Sequence, residues 1–333
     1  MKNYKGIIIV WVAYQRRSES LAKYFDLRIC YHHYSWEEKG KYLKPFAYIC
    51  KFIQTIYTLI SNRPKVVFVQ VPPTFPLYPV YVYCKLFGAV YIGDCHNTTF
   101  YDSYWRKFPF VKSILRKAKW DLVHNEDIVE KIKNDNYPYY LMRDPIPQIE
   151  ADTTVEIISN LKIKTDEYVI IPGSFDVDEP LQELFNAMNL LPQTTFVCTW
   201  FKERVPKNMQ LPKNVLMTGF LPVREFNALY ANANTTIVLT TREGTQPSGA
   251  AEAISLEVPL VVSDIATTRR LYSEAAVFVK SDGESIANGV KFALQNQVEL
   301  KEKMKKLKQR ISSENNQQVL DFKEMLKPFT EKL

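Results

Sequence analysis

The sequence of 333 residues lacks any run of about 20 apolar residues, the length that a membrane-spanning helix needs. Its most apolar region, residues 66–90, is interrupted by four prolines and one lysine. The apolar run near the start, residues 7–13, is short and leads to Arg16 and Arg17 without a small-residue cleavage site. These absences predict no spanning helix, and they favour a buried first strand over a signal peptide.

Cysteine is also sparse, and the five cysteines include no Cys-x-x-Cys pair. The odd number and the absence of paired spacing argue against a disulfide framework and against a structural zinc site. The sequence therefore predicts a protein of the reducing cytoplasm. A net charge of +7 is too weak by itself to indicate nucleic-acid binding, and no RNA-binding motif stands out, so we expect no nucleic-acid partner.

The charge is distributed unevenly along the chain. Residues 1–150 carry a net charge of +9 and 17 of the 20 tyrosines, whereas residues 151–333 carry a net charge of −2. Two halves of such different chemistry indicate two domains with different partners.

Short apolar runs alternate with helical patterns through both halves, which predicts an α/β fold with doubly wound parallel sheets. Residues 144–148 contain two prolines and precede a polar segment, so we expect a linker there. The pattern predicts one Rossmann-like domain over residues 1–147, a second over residues 148–315, and a last helix within residues 316–333. Strands are predicted at residues 6–13, 66–71, 89–93, 122–124, 168–171, 195–199, 214–217, 235–239, 260–262 and 276–279, and helices at residues 17–24, 78–86, 111–118, 127–134, 179–190, 223–231, 248–256 and 284–294.

The most informative segment is residues 239–264, in which a polar loop leads from a strand into a helix. Ser248 is positioned to cap that helix, and the small residues Gly249 and Ala250 allow a ligand to approach the backbone. The N–H groups and dipole of a helix start favour an anion such as a diphosphate, and Glu252 about one turn later suits a ribose diol. The alternative is an ordinary capped helix in which Glu252 interacts with the helix dipole.

This segment resembles the nucleotide-sugar site of GT-B glycosyltransferases, whose second domain carries two glutamates before a strand that ends Pro-apolar-Val-Val-Ser-Asp. Residues 259–264 read Pro-Leu-Val-Val-Ser-Asp. The resemblance implies that Glu252 binds the donor ribose and that Glu243 lies near the sugar hydroxyls, although eight residues separate the two here and the family has seven. It also implies a GT-B fold of two Rossmann-like domains facing across a cleft, a last helix that crosses back to the first domain, and catalysis without a metal ion.

The resemblance assigns further donor contacts. Gly173 and Ser174 follow the first strand of the second half, where many relatives have Gly-Arg, and the usual cationic pair is absent. Because a diphosphate leaving group needs neutralising charge, other cations must supply it. The candidates are Lys202, Arg204 and Arg242.

Gly219 and Phe220 lie in a loop after another predicted strand. The loop resembles the family segment that packs on the nucleobase, and glycine allows a close approach there. A core position is an equally good interpretation of Phe220.

In the first half, Asp94-Cys95-His96-Asn97 follows a strand, at the edge where open α/β sheets bind ligands. The tetrapeptide resembles the Asp-Trp-His-Asn of chitobiosyl-diphosphodolichol β-mannosyltransferases. That branch is inverting and needs a general base for the acceptor hydroxyl, for which Asp94 and His96 are the candidates. A structural histidine is the alternative at His96.

Arg16, Arg17 and Glu19 follow the first strand, where many GT-B enzymes have a glycine-rich loop that this chain lacks. We treat the three as candidate acceptor-loop residues. The arginines face either the ligand or the solvent, and Glu19 is either a further base or a dipole partner of the helix.

Residues 105–120 interleave six basic residues with aromatic and aliphatic ones, as interfacial segments on anionic lipid do. The alternative is a helix that packs on the sheet with a solvated basic face. A lipid-diphosphate acceptor would account for the basic and aromatic residues together, and it would place the protein peripherally on the cytoplasmic face of a membrane. The predicted membrane-facing residues are Trp105, Arg106, Lys107, Arg116, Lys117 and Lys119.

The resemblance therefore predicts a glycosyltransferase of polysaccharide or glycoconjugate synthesis, with no separate cofactor. It would move a sugar from a UDP- or GDP-linked donor to a glycan or lipid-linked acceptor. The alternatives are a GT-B sugar-nucleotide epimerase and a catalytically silent nucleotide-sugar-binding subunit. The basic, aromatic first half favours the transferase over the epimerase.

Overall fold

The structure, a computed structural model, describes residues 4–40, 42–101, 103–150, 156–164, 167–173 and 177–330. The chain divides into two compact units. The first contains Met1–Pro145 and Glu314–Leu333, and the second contains Ile146–Ser313. The division falls between Pro145 and Ile146, inside the proline-containing segment 144–148.

The first unit is built on a parallel sheet. The part of this unit that the structure describes forms six strands, β1 (Gly6–Val10), β2 (Leu27–Tyr31), β3 (Val66–Val71), β4 (Val90–Cys95), β5 (Trp120–Val123) and β6 (Tyr139–Leu141). They pair in the order β2-β1-β3-β4-β5-β6. The central strands are continuous apolar runs because helices cover both faces of a parallel sheet, and β1 and β3 are buried along their whole length.

Helices cover the two faces of this sheet, and alternate residues of β1 face each layer. Ile8 and Val10 pack with α1 (Arg16–Phe25) and with the last part of α14 (Gln297–Thr330). Ile7 and Ile9 pack on the opposite side, with α2 (Leu43–Asn62), α3 (Leu77–Phe87) and the shorter helices that follow. Those shorter helices are α4 (Asn97–Tyr101), α5 (Ser103–Arg106), α6 (Val111–Leu115) and α7 (Glu126–Ile132).

The second unit repeats the doubly wound plan. Its described residues form a six-stranded parallel sheet in the order β12-β11-β10-β7-β8-β9, which is the strand order of the Rossmann fold. The strands are β7 (Tyr168–Ile171), β8 (Thr195–Cys198), β9 (Val215–Met217), β10 (Thr235–Val238), β11 (Leu260–Ser263) and β12 (Ala276–Val279). The helices are α8 (Ile157–Asn160), α9 (Leu181–Asn189), α10 (Val223–Ala231), α11 (Ser248–Leu256), α12 (Ala266–Tyr272) and α13 (Gly283–Gln295), followed by α14.

The predicted α/β class with two Rossmann-like sheets is confirmed, but several predicted elements differ. The predicted helix over residues 111–118 is shorter in the structure, where α6 follows a turn at Phe110, whose φ is +62°, and ends at Leu115. No helix was predicted at α2 or α12, and no strand was predicted at β6. The last helix, α14, begins at Gln297 and continues through the predicted 316–333 segment as far as Thr330.

None of the helices in the described ranges is long and apolar enough to cross a membrane.

Phe322 on α14 is the centre of an aromatic cluster in the first unit. It is fully buried, and its ring centroid lies 5.4 Å from Phe25, 5.2 Å from Trp120 and 4.8 Å from Tyr140. The segment from Glu314 onward is therefore part of the hydrophobic core of this unit.

We expect Phe322→Ala to lower the free energy of unfolding of the first unit by about 3–5 kcal/mol, because it removes a buried ring and leaves a cavity. Urea unfolding followed by tryptophan fluorescence measures this, since four of the five tryptophans belong to this unit. Leu320→Ala, on the exposed side of the same helix, is the control and should change stability by less than about 0.5 kcal/mol. Equal losses in the two variants would contradict the packing described here.

Candidate functional site

A cavity of about 220 Å³ opens at the carboxyl ends of β7 and β10 in the second unit. The strand order reverses between these two neighbours, and doubly wound sheets bind ligands at such a reversal. The walls come from the ends of the two strands, the start of α9 and the start of α11. They include Pro172, Gly173, Asp178, Glu179, Leu239, Thr240, Thr245, Pro247, Ser248 and Gly249.

Gly249 allows α11 to start close against the sheet. A Cβ atom at this position would lie 2.8 Å from Pro172 Cγ and 3.1 Å from Val238 Cγ2, so a larger residue would displace the helix start. The predicted cap is wrong in one respect. The helix begins at Ser248 itself, the flanking residue is Pro247, and no side chain caps it. The first backbone N–H groups of α11 are therefore left without a capping side chain at the cavity wall.

Glu252 lies about one turn into α11 and is largely buried. Burial raises the pKa of the Tyr230 phenol, and the nearby Glu252 carboxylate raises it further. The Tyr230 hydroxyl lies 2.8 Å from the Gly249 carbonyl oxygen. Glu252 therefore lies inside the domain, beside the start of α11 and near Tyr230, and is not a solvent-exposed side chain.

The loop that leads into α9 is tied to the end of β10. The Thr240 hydroxyl donates to Asp178 Oδ2 at 2.7 Å. A Cβ atom at Gly173 would lie 2.7 Å from Glu179 Oε2, so the absence of a side chain at Gly173 lets Glu179 approach. Ser174, the other predicted donor residue in this loop, lies outside the described residues.

The three predicted cations are exposed side chains on loops of this unit. Lys202 and Arg204 lie on a 3-10 turn after β8, and the Arg204 guanidinium is 6.0 Å from the centroid of the Trp200 ring. Arg242 follows β10, and its backbone N–H donates to the Thr240 hydroxyl. Within the part of the chain that the structure describes, none of the three lines the cavity.

Gly219 and Phe220 follow β9. Gly219 has a φ of +70°, which favours glycine, and its N–H donates to the Trp200 carbonyl at 3.0 Å. Phe220 is 73% exposed, so its interpretation as a core residue is wrong. Phe201 is also exposed, which leaves aromatic faces available near this loop.

The carboxylate of Glu243 binds the start of α12. Its Oε1 accepts the N–H of Ala266 at 3.2 Å, and its Oε2 accepts the N–H and the hydroxyl of Thr267 at 3.3 and 3.0 Å. This residue therefore acts as a helix cap in the structure, and its predicted contact with the sugar hydroxyls stays a prediction.

In the first unit, the buried Arg17 guanidinium bridges two carboxylates at the carboxyl edge of the sheet. Its Nε donates to Asp94 Oδ1 at 2.6 Å, its Nη1 donates to Asp144 Oδ1 at 2.5 Å, and its Nη2 donates to the Met142 carbonyl. Burial alone would lower the pKa of Arg17, but the two carboxylates raise it, so the guanidinium stays charged. The solvent-facing interpretation of Arg17 is wrong.

Two histidines adjoin this ion pair. His96 Nε2 lies 3.8 Å from Asp94 Oδ2, and among the described residues neither atom has a hydrogen-bond partner although both are buried. His124 Nδ1 lies 3.1 Å from Asp144 Oδ2, and its Nε2 lies 2.8 Å from Asn97 Oδ1. Neither His124 nor Asp144 was predicted as a site residue. Their positions directly after β5 and just after β6 are the signal that would have identified them.

Burial lowers the pKa of His96, and although Asp94 raises it in part, the net pKa lies below the ordinary value. His96 is therefore neutral near pH 7, which is the form that a general base needs. Burial raises the pKa of Asp144, but Arg17 and His124 outweigh this effect and hold it below its usual range. No group of three or more His, Cys, Asp or Glu side chains in the described ranges is arranged to hold a metal ion.

The other two acceptor-loop candidates lie on α1. Arg16 is exposed at the start of the helix. Glu19 Oε1 accepts a hydrogen bond from the Tyr31 hydroxyl at 2.6 Å, so it has a specific side-chain partner beyond the helix dipole.

The predicted membrane-facing residues do not share one surface. The apolar residues Val111, Ile114 and Leu115 of this segment are buried in the core, and Lys119 lies over the ring of Phe329 on α14, which packs on the opposite side of the sheet from α6. The remaining predicted residues are Trp105 and Arg106, which are partly buried, and Lys107, Arg116 and Lys117, which are exposed.

Two Rossmann-like units of this kind define an α/β protein with the GT-B fold. Solved structures share it: HepE from Anabaena in complex with UDP-glucose has a TM-score of 0.68 and 10% identity over 94% of this chain and 90% of that one. Sucrose-phosphate synthase from Thermosynechococcus elongatus has a TM-score of 0.65 and 15% identity over 84% and 77% of the two chains. A glycosyltransferase from Rickettsia africae has a TM-score of 0.65 and 11% identity over 98% and 90%. At these identities the likeness concerns the fold.

Residues 156–311 match the family model described as "Glycosyl transferases group 1". This segment lies within the second unit and includes the β7–β10 cavity. No curated protein matches the chain.

We expect Arg17→Met to lower the free energy of unfolding of the first unit by about 3–5 kcal/mol at pH 7, because it leaves the buried Asp94 carboxylate unpaired. The pKa of Asp144 is held below its usual range, so its stabilisation is complete above the unfolded pKa of about 3.9 and is lost as the pH falls further. The difference in the free energy of unfolding between wild type and Arg17→Met should therefore become smaller in acid. Urea unfolding at a series of pH values measures it.

Arg16→Met is the control for this prediction, because it removes an exposed arginine from the same helix. Equal losses of stability in the two variants, or a loss that does not depend on pH, would contradict the role given to the buried ion pair.

Proposed function

We propose that this chain transfers a sugar from a UDP-linked donor to a hydroxyl of a glycan or lipid-diphosphate-linked acceptor. The observation that supports the donor side is the cavity at the β7–β10 reversal, within the segment that matches the group 1 glycosyltransferase model. A structure of HepE, which shares the fold, contains UDP-glucose, and this favours uracil as the nucleobase.

The donor diphosphate binds at the start of α11 in this proposal. The N–H groups of Ser248 and Gly249 belong to the first turn, where helical hydrogen bonding does not use them, and the helix dipole favours an anion there. Gly249 and Ala250 keep side chains away from the approach. Further positive charge for the leaving diphosphate comes from Arg242, Lys202 and Arg204 by movement of their exposed side chains. The proposal therefore includes no metal ion.

The nucleoside is held by two other contacts. The Glu252 carboxylate accepts hydrogen bonds from the ribose hydroxyls, and its negative charge makes them stronger than neutral ones. The nucleobase packs on Phe220 beside Gly219, where a positive φ and an exposed ring leave room for a planar group.

The first unit supplies the acceptor side and the general base. The acceptor hydroxyl gives its proton to His96 as its oxygen attacks the anomeric carbon, and the nucleoside diphosphate leaves with the bonding electrons. Nε2 of His96 is buried beside Asp94 whereas the side chain is 23% exposed, so Nδ1 is the nitrogen that we assign to the substrate. Asp94 stabilises the imidazolium that forms, and Arg17 keeps Asp94 in place.

A peripheral position on the cytoplasmic face of a membrane is part of the proposal, since a lipid-linked acceptor is presented there. Arg16 and Glu19, both on α1, remain the candidate acceptor contacts. Polysaccharide or glycoconjugate synthesis is the process that would use such a transfer.

Glu252→Gln keeps the size of the side chain and removes its charge. We expect it to weaken UDP-glucose binding about tenfold or more, because hydrogen bonds to charged groups contribute roughly 1.5–3 kcal/mol. Isothermal titration calorimetry with UDP-glucose and GDP-glucose measures the affinity and the choice of nucleobase. Glu284→Gln, on an exposed site at the start of α13, is the matched control. Unchanged affinity in a folded Glu252→Gln protein would contradict the proposed donor site.

For the base, we expect UDP release from UDP-glucose to fall in acid with a midpoint below pH 6.5, because the pKa of His96 is lowered and its protonated form cannot accept a proton. His96→Gln should reduce the rate roughly 10²–10⁴-fold and remove this acid limb. His33→Gln is the control histidine variant. An acid limb that survives in His96→Gln would show that another group is the base, and a nucleotide sugar returned as an epimer without UDP release would favour an epimerase.

A further inference from the structure

The long helix α2 of the first unit has its apolar side turned outward. Phe46, Ile49, Ile53, Tyr57 and Ile60 recur at intervals of three or four residues, which places them on one face of the helix. Each is between 49 and 72% exposed. A surface helix ordinarily buries an apolar stripe of this kind against the core of its domain. Packing within the first unit therefore does not explain why the stripe on α2 is exposed.

The opposite side of α2 is buried and partly polar. Ala47, Lys51, Thr55 and Leu59 face the sheet, and Lys51 is 1% exposed. Its ammonium group donates to the Trp11 carbonyl at 3.1 Å and to Glu37 Oε1 at 2.8 Å. These contacts fix the rotation of α2, because turning the stripe inward would break the bonds that satisfy the buried Lys51 charge.

Thr55 strengthens this restraint. Its hydroxyl oxygen accepts the Trp11 indole N–H at 3.0 Å and lies 2.8 Å from His32 Nδ1. The polar groups of the inward face thus have specific partners at the carboxyl ends of β1 and β2. The outward direction of the stripe is therefore a fixed property of the folded unit.

The neighbouring helix α3, which packs on α2, extends the apolar surface. Its Val82, Leu86 and Phe87 are 47, 72 and 50% exposed. The two packed helices thus present eight exposed apolar side chains, and exposed patches of this kind mark interaction sites. We call the exposed residues of α2 and α3 named so far the apolar face.

α2 and α3 carry only positive charges, whereas the 3-10 turn Ser35–Lys39, which packs on α2, carries Glu37 and Glu38. Residues 39–93 contain seven Lys and Arg and no Asp or Glu, and residues 103–119 contain six Lys and Arg and no Asp or Glu. The exposed members include Lys44 on α2, Lys85 on α3, Lys107 and Lys112. A surface that combines exposed apolar side chains with basic ones is complementary to an anionic bilayer, whose headgroups attract the lysines while its acyl boundary accepts the apolar groups.

We propose that α2 lies in the plane of an anionic lipid surface, with the apolar face at the acyl boundary and Lys44 and Lys85 at the phosphates. The proposal deepens the peripheral location proposed above and rests on it for the choice of partner. It also replaces residues 105–120 as the main contact, since the apolar residues of that segment are largely buried in the core.

The test is co-sedimentation of the full chain with vesicles of phosphatidylcholine alone and of equal parts phosphatidylcholine and phosphatidylglycerol. We expect binding to the anionic vesicles and weaker binding to the neutral ones. In the stripe variant, Ile49→Ser/Ile53→Ser/Tyr57→Ser, binding should fall roughly tenfold or more, because three apolar side chains lose their buried position. Leu190→Ser/Val298→Ser/Leu320→Ser removes three exposed apolar side chains elsewhere and should bind as the wild type does.

Charge is tested separately with Lys44→Gln/Lys85→Gln. Each lysine near an anionic surface contributes about fivefold to binding. Replacing both lysines should therefore weaken vesicle binding roughly 25-fold at low salt. The loss should be smaller at high salt, where the wild type is weakened as well.

Two results would overturn the proposal. One is a stripe variant that sediments with anionic vesicles as the wild type does. The other is a wild type that binds neither vesicle but forms a dimer in sedimentation velocity that the stripe variant abolishes, which would assign the apolar face to a second copy of the chain. UDP-glucose calorimetry on the same proteins reports folding and donor binding independently, so failure of the lipid proposal is distinguishable from failure of the proposed activity.

Discussion

Parallel pairing of the strands sets the geometry of both units. Every strand pair in the described residues of both sheets is parallel. The carboxyl ends of all strands in a sheet therefore lie at one edge, and the chain that follows each strand meets the others there. In the second unit this places the β7 end, the β10 end and the start of α11 around one cavity. In the first it brings Arg17, Asp94 and Asp144 into contact.

Buried positive charge has a structural role in the first unit. Arg17 is held between two carboxylates at the edge of the sheet, and Lys51 is held by Glu37 and the Trp11 carbonyl under α2. The first ion pair keeps Asp94 beside His96, and the second fixes which side of α2 faces outward. Two of the cations behind the net charge of the first half are therefore internal, and the exposed lysines around the apolar face carry the part of that charge that a partner would meet.

The segment from β10 to β11 could be interpreted from sequence because its signals are local. Within a few residues the chain contains a strand, a glycine that must approach the sheet and the start of a helix. Their spacing in the sequence alone predicted that they lie close together. The cap was misassigned because Pro247 already has an extended ψ, which makes Ser248 the first helical residue. Phe220 was ambiguous because the same aromatic residue type occurs in cores and in binding loops. Its exposure depends on the path of the chain around Gly219.

Local sequence was enough to predict the α/β class, the two-unit organisation and the similarity of residues 239–264 to a nucleotide-sugar site, because hydrophobic periodicity and short motifs are properties of neighbouring residues. Only long-range packing joins Arg17 to residues 77 and 127 positions away and places His124 and Asp144 beside His96. It also turns the apolar side of α2 outward. Composition and periodicity do not indicate which residues, distant in the sequence, will form an ion pair with a buried charge. The low dielectric of the folded interior makes such a charge costly unless it is paired, and that energetic requirement selected the arrangement.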